Sequence, residues 1–147
     1  MKLPHKIVIW SGWPSGGLYE TTSRNSRFLY FAYVASNIGK VKRLASPRNV
    51  NSKFDVGFSL LHFAARHGSV EIIELFCGLG VLVDAQNDCG EMPLYYANRS
   101  DVVKCLIKFG ADVNVQDIEN RTPLHNMLTN SEVVDALLNV PNINMNL

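Results

Sequence analysis

The chain has 147 residues, with 14 Lys and Arg against 13 Asp and Glu, and a formal charge of +1 at neutral pH. So even a balance, with no long basic run, leaves no electrostatic footprint for nucleic acid, and no apolar run approaches the roughly 20 residues of a membrane-spanning helix. Cys77, Cys89 and Cys105, odd in number, widely spaced and without a Cys-x-x-Cys pair, indicate neither a disulfide framework nor a zinc knuckle.

The first segment, Lys6-Ile7-Val8-Ile9-Trp10, reads as one short apolar strand. The breaker-rich Ser11-Gly12-Trp13-Pro14-Ser15-Gly16-Gly17 and a polar stretch to Ser26 come next. A strand followed by Gly12-x-x-x-x-Gly17 has the glycine spacing of a phosphate loop. Leu18 and Tyr19 stand where the loop needs Lys and then Ser or Thr, so the cation and the metal ligand are missing. The apolar run is also too short for a secretory core, and an intracellular, cytoplasmic setting is expected by default. Residues 1–23 are read as an N-terminal extension with three roles open: a cap over the apolar face of the first repeating unit, a partner-binding arm, or a disordered leader. Solenoid ends need a cover, and Trp10 and Trp13 are large apolar side chains.

From about residue 24 one phrase recurs. It reads Leu29-Tyr30-Phe31-Ala32, Leu61-His62-Phe63-Ala64, Leu94-Tyr95-Tyr96-Ala97 and Leu124-His125-Asn126-Met127, with steps of 32, 33 and 30 residues between the leucines. A second block keeps register with it: Val50-Asn51, Val83-Asp84 and Val113-Asn114 each begin 11 residues before a phrase leucine. Gly57, Gly90 and Asn120 each fall four residues before that leucine, which suits a turn that needs positive φ, open to Gly and next most easily to Asn. The pattern implies an array of one small unit, and such units bury a continuous core only by stacking.

Thr122-Pro123-Leu124-His125 and Gly110-Ala111-Asp112-Val113-Asn114 resemble the signature of the ankyrin repeat. The resemblance implies an all-α solenoid of stacked helix-turn-helix units joined by β-hairpin loops, with repeats at about 24–53, 54–86, 87–116 and 117–147. In this pattern Thr122 caps an inner helix and Pro123 takes its first position, where no amide partner is lost.

The outer helices read as Ser69-Val70-Glu71-Ile72-Ile73-Glu74-Leu75-Phe76, Ser100-Asp101-Val102-Val103-Lys104-Cys105-Leu106-Ile107 and Ser131-Glu132-Val133-Val134-Asp135-Ala136-Leu137-Leu138. Each has a capping Ser, an acid in the first turn or close to it, and apolar pairs four apart. Gly68-Ser69 keeps half of the Gly-His that the family writes between inner and outer helices. The last two units delete about three residues there, so short helix pairs are expected.

No catalytic constellation is present. His62 and His125 occupy the repeat's structural His position, the chain has no Gly-x-Ser-x-Gly, and the acids are scattered singly. No enzyme activity, cofactor or metal is expected. Lys40, Lys42, Arg43 and Arg48 read as a solvated helix face, Cys77 and Cys105 as small apolar fillers, and Cys89 as an exposed residue at a hairpin tip. His67, beside Arg66, is a candidate contact.

The resemblance also implies recognition of a protein partner through the hairpin tips and the exposed face of the inner helices. Carried over residue by residue, that strip holds Asp55, Val56, Phe58, Phe63, Arg66 and His67; then Asp88, Cys89, Glu91, Tyr96 and Arg99; then Ile118, Glu119, Arg121, Asn126, Thr129 and Asn130. Phe58, Phe63 and Tyr96 beside Arg66, Arg99 and Arg121 are the residue types that dominate interface hot spots, with inter-helix packing as the competing role for Phe63 and Tyr96. Leu106 followed by Asp112-Val113-Asn114 resembles the pattern that asparaginyl hydroxylases accept, which makes Asn114 a candidate modification site. After Leu138 the chain begins another hairpin without a polar capping helix, and Met127 and Leu128 are expected on an open side. Such an end suits self-association, or a structural segment of a larger ankyrin protein or complex.

Overall fold

The computed structural model describes residues 37–145. The N-terminal extension, the phosphate-loop candidate and the first copy of the phrase lie outside these residues. Among the described residues there are six α-helices and no strand.

The helices form two rows. The outer row holds α1 (Ile38–Leu44), then α3 (Val70–Gly78), α4 (Ser100–Lys108) and α6 (Ser131–Leu138). Helix α2 (Leu60–His67), a single 3-10 turn at Pro93–Tyr96, and helix α5 (Pro123–Met127) make the inner row. Each inner element packs on its neighbour in the row, and outer helices α3, α4 and α6 pack on one another likewise. Between the rows lies the core: Leu61, Leu94 and Leu124 are at most 1% exposed, and Ile73, Phe76, Val103, Leu106 and Leu137 meet them fully buried. The phrase recurs because its leucine is the residue that each unit places between rows.

Local chemistry decides where inner helices begin. Ser59 and Thr122 cap α2 and α5 in reciprocal boxes closed by a histidine three residues on. The Ser59 amide donates to Nδ1 of His62 at 3.0 Å, as the Thr122 amide does to Nδ1 of His125 at 3.0 Å. An Nδ1 that accepts leaves the His62 proton on Nε2, which donates to the Glu91 carbonyl of the next unit at 3.0 Å. The third unit has Met92 at the cap position, with no acceptor to offer, and Tyr95 in place of the histidine. It is also short: Leu61 to Ile72 spans 11 residues, Leu94 to Val102 spans 8, and Leu124 to Val133 spans 9. Without a cap and three residues shorter, its inner segment closes as one 3-10 turn, and the expectation of short helix pairs is met in its extreme form.

The outer helices correct one detail. The serines at 100 and 131 lie inside α4 and α6, and the flanking residues are Arg99 and Asn130. The Asn130 side chain does the capping, accepting from the Val133 amide at 3.4 Å. An amide carbonyl one position earlier reaches the third amide of the helix, so the serine is free to be helical.

Successive approach segments are tied by their Asn or Asp. Asn51 accepts from the Leu82 amide at 2.7 Å and donates to the Gly80 carbonyl at 3.1 Å. Asp84 accepts from the Asp112 amide at 3.2 Å. Asn114 accepts from the Asn144 amide at 2.7 Å and donates to the Asn142 carbonyl at 3.0 Å. The second block of the sequence therefore recurs because it links units.

Candidate interaction surface

The hairpin loops close as tight turns. Phe54, Asn87 and Asp117 each donate a backbone amide to the carbonyl four residues on, at 2.7, 2.9 and 2.9 Å. Their tips are in register, because the Asp88 amide donates to the Val56 carbonyl and the Ile118 amide to the Cys89 carbonyl, both at 3.0 Å. Gly90 has φ 75° and Asn120 φ 60°. A Cβ on Gly90 would stand 3.0 Å from the Ile118 amide nitrogen, so this glycine serves both the turn and the approach of the next loop.

Side chains reinforce two of the three loops. Asn87 Oδ1 accepts from the amides of Cys89 and Glu91 at 2.9 and 3.0 Å, and Asp117 Oδ1 from those of Glu119 and Arg121 at 2.8 and 2.9 Å. The loop's first position is occupied by Phe54 in the earlier unit, which cannot accept. Its ring packs edge-on against Phe63 at 5.9 Å instead. Val56 at that tip has φ 57°, in a region that β-branched residues rarely enter. It is 44% exposed and Ile118 is 69% exposed, so the tip row carries two uncovered apolar side chains among Asp55, Asp88 and Glu119.

Behind the tips the aromatic residues meet. The Phe58 ring lies 5.6 Å from Phe63 and 5.1 Å from Tyr96. Phe63 is buried, while Phe58 and Tyr96 are half-buried. The Tyr96 hydroxyl donates to the Glu91 carboxylate and accepts from Asn87 Nδ2 at 3.1 Å. Burial, aided by that carboxylate, pushes the phenol above its ordinary range. Arg121 is drawn into a network of its own, with Asp117 at 2.9 Å, Glu119 at 3.2 Å and Glu91 at 4.0 Å. Burial raises the Asp117 carboxyl, but the Arg121 and Glu119 amides and the guanidinium outweigh it and hold the group below the usual carboxylate range. Arg99 is similarly engaged, with Asp101 at 2.6 Å.

Along the far end of the inner row, Arg66, His67 and Asn126 are exposed. Burial, then the neighbouring Arg66, lowers the His67 pKa. Here the shortened third unit leaves a cavity of about 360 Å³. Arg66 stands on one side of it and Asn126, Thr129 and Asn130 on the other, over a floor that includes Ala97 and Met127. Met127 is thus 4% exposed and turned inward, correcting the expectation that it lies on an open side; Leu128 is the exposed one, at 55%. Asn98, which sequence reasoning passed over, spans the cavity wall. Its Nδ2 donates to the Arg66 carbonyl at 3.0 Å, and its own carbonyl accepts from Asn130 Nδ2 at 3.0 Å. The signal was there as an Asn recurring at positions 98 and 130, 32 residues apart.

Cys77 and Cys105 are half-buried and buried on the outer row, and Cys89 is half-buried rather than exposed at its tip. Burial, with Cys105 and Glu74 nearby, pushes the Cys77 thiol up to about 11. Among the described residues no group of three His, Cys, Asp or Glu is placed to hold a metal ion, and no helix is long and apolar enough to cross a membrane.

A family model of ankyrin repeats, in three copies, matches residues 28–117. The chain belongs to the ankyrin-repeat family. Mouse Rabankyrin-5 is 41% identical over 61 residues, which are 38% of this chain and 5% of that protein. The human transient receptor potential cation channel subfamily A member 1 is 32% identical over 124 residues, 79% of this chain and 10% of the channel. Chicken NF-kappa-B inhibitor alpha is 32% identical over 76 residues, 47% of this chain and 24% of that protein. The chain thus spans a quarter or less of the length of each. Ankyrin repeats are generally protein-protein interaction modules, and the family is typically non-catalytic.

Proposed function

We propose that this ankyrin array is a non-catalytic module that binds a protein partner through its hairpin tips and the exposed side of its inner row. The observation that carries the reading is the division of labour among side chains. The phrase leucines, His62 and the approach Asn and Asp residues are spent on stacking. Val56, Ile118, Arg66, His67 and Asn126, at positions the signature leaves free, are exposed. Exposed apolar residues on a line with charged neighbours are the makings of an interface core and rim.

The test pairs capture with folding. Protein retained from host lysate on the immobilised chain is compared with that retained on a Val56→Asp/Ile118→Asp double variant. Asp tolerates the left-handed region better than Val, so the variant should melt within a few degrees of the parent. Loss of a captured protein with melting unchanged supports the reading, and identical capture by both chains sinks it.

A second reading, a structural or assembly segment that self-associates, rests on the exposed Leu128, Leu138 (42%) and Met145 (55%) after the last inner helix. Light scattering decides it: a concentration-dependent mass that Leu128→Asp abolishes favours assembly through that end, and a monomer at all concentrations removes it.

A further inference from the structure

The row of hairpin tips holds an excess of one charge. Its three loops, 54–58, 87–91 and 117–121, contain Asp55, Asp88, Glu91, Asp117 and Glu119 against a single cation, Arg121. That guanidinium is already shared among Asp117, Glu119 and Glu91. Lys53, just before the first loop, is turned to the Gln86 carbonyl at 2.9 Å. Among the described residues, no cation pairs with the carboxylates of Asp55 and Asp88 and no donor bonds them, and Oδ2 of Asp55 is buried without a partner.

Position sets Asp88 apart. Its backbone amide donates to the Val56 carbonyl of the preceding tip at 3.0 Å, and a Cβ on Gly57 would stand 2.6 Å from its Oδ1. The carboxylate therefore rests in the room that Gly57 leaves, next to Val56, on an exposed residue. On the other side the Ile118 amide bonds the Cys89 carbonyl, so the next side chain along the row is Ile118, 69% exposed. An acid without a counter-charge thus stands between two uncovered apolar side chains. A lone surface carboxylate is satisfied by water, but five acids against one guanidinium, in line with Val56 and Ile118, make a surface of defined sign.

We propose that the tip row receives a basic segment of the protein partner, in which a Lys or Arg pairs with the Asp88 carboxylate between apolar side chains that cover Val56 and Ile118. The proposal rests on the protein-binding reading above and names the partner's chemistry. Charge complementarity selects the occupant: a cation gains the field of the whole row and steers the encounter, while the apolar contacts on either side hold the complex once formed. An acidic peptide, a nucleic-acid backbone or an anionic lipid surface would be repelled along the same line.

The probe is a phage-displayed library of random dodecapeptides selected on the purified chain, with selected peptides resynthesised and titrated by fluorescence anisotropy. Peptides sharing a Lys or Arg flanked by apolar residues are expected, and their affinity should fall as salt is raised. Asp88→Lys should weaken binding by about fivefold or more, since an attraction becomes a repulsion. The variant should fold, because the Asp88 side chain makes no bond and the next loop carries Ile118 at the same position. It should in turn prefer the peptide with Glu in place of the shared cation, a reversal that a misfolded variant could not produce. Ile118→Ser, which removes apolar area and leaves the charge alone, should weaken binding by roughly fivefold. Selected peptides without a common cation, with a cation whose replacement by Gln costs the same in the parent and in Asp88→Lys, or with binding that ignores Ile118→Ser, overturn the proposal. If peptides lacking a common cation are nevertheless lost on Val56→Asp/Ile118→Asp, the basic partner fails and the wider reading stands. Failure to enrich any peptide overturns the basic segment, and the lysate comparison then judges the wider reading independently.

Discussion

The second and third units start from the same phrase and end as different structures. Leu61 and Leu94 are equally buried, yet one begins an eight-residue helix and the other a 3-10 turn. The apolar letters place a segment between the rows; the cap and the number of residues before the outer helix decide whether it becomes a helix. His62 and Tyr95 make the same point. Both cross to the next unit, His62 to the Glu91 carbonyl and Tyr95 through its hydroxyl to the Arg121 carbonyl, the same hydroxyl lying 2.8 Å from the Val115 carbonyl of its own unit. Different side chains bridge at one position because a longer phenol reaches further from a tighter turn.

The sharpest way to break the comparison is to delete what the units share. Leu61→Ala and Leu94→Ala should each cost about 2–5 kcal/mol, with similar values for the helix and the turn, measured by urea denaturation. If Leu94→Ala costs much less, the turn is not anchored as the helix is.

Acid should then separate the units. Burial lowers the His62 pKa to about 4, against an ordinary 6.5, although its bond to the Glu91 carbonyl pulls the other way. The unfolded chain therefore takes the proton first as pH falls. This contribution is complete above about pH 6.5 and is lost progressively toward pH 4, amounting to ~2 kcal/mol at pH 5. Unfolding free energies at pH 7 and pH 5 should differ by that much in the parent and by less in His62→Gln. Tyr95, whose phenol burial pushes up to about 12, brings no titration to this range, so Tyr95→Phe should keep the parental pH dependence.

A smaller effect sharpens the difference. Asn98 substitutes for the missing helical turn by bonding the Arg66 carbonyl, so Asn98→Ala should cost about 1 kcal/mol in thermal melts. A neutral result would mean that water serves that carbonyl as well.

Much of the fold was legible because its demands are local. A cap and its histidine lie three residues apart, a left-handed turn needs Gly90 or Asn120 at one place, and a phrase leucine repeats wherever the core passes. The interaction strip was legible only as positions. Phe63 stood among the free letters but its ring is buried against Phe54 and Phe58, and Arg121 is held by three acids that the sequence scatters over Glu91, Asp117 and Glu119. Asn98 lies in neither recurring block.

By itself, the sequence determined the period and the family, since phrase and approach block recur in one register along the chain, and the buried leucines and the caps, since those follow from residues within a turn or two of one another. Tertiary structure alone decided the rest: that the short third segment opens a cavity, that Met127 turns into its floor, and that Arg66, Asn98 and Asn130 border it in one ladder. Those residues stand about 32 positions apart, and only the stacking of one unit on the next brings their side chains within hydrogen-bond reach.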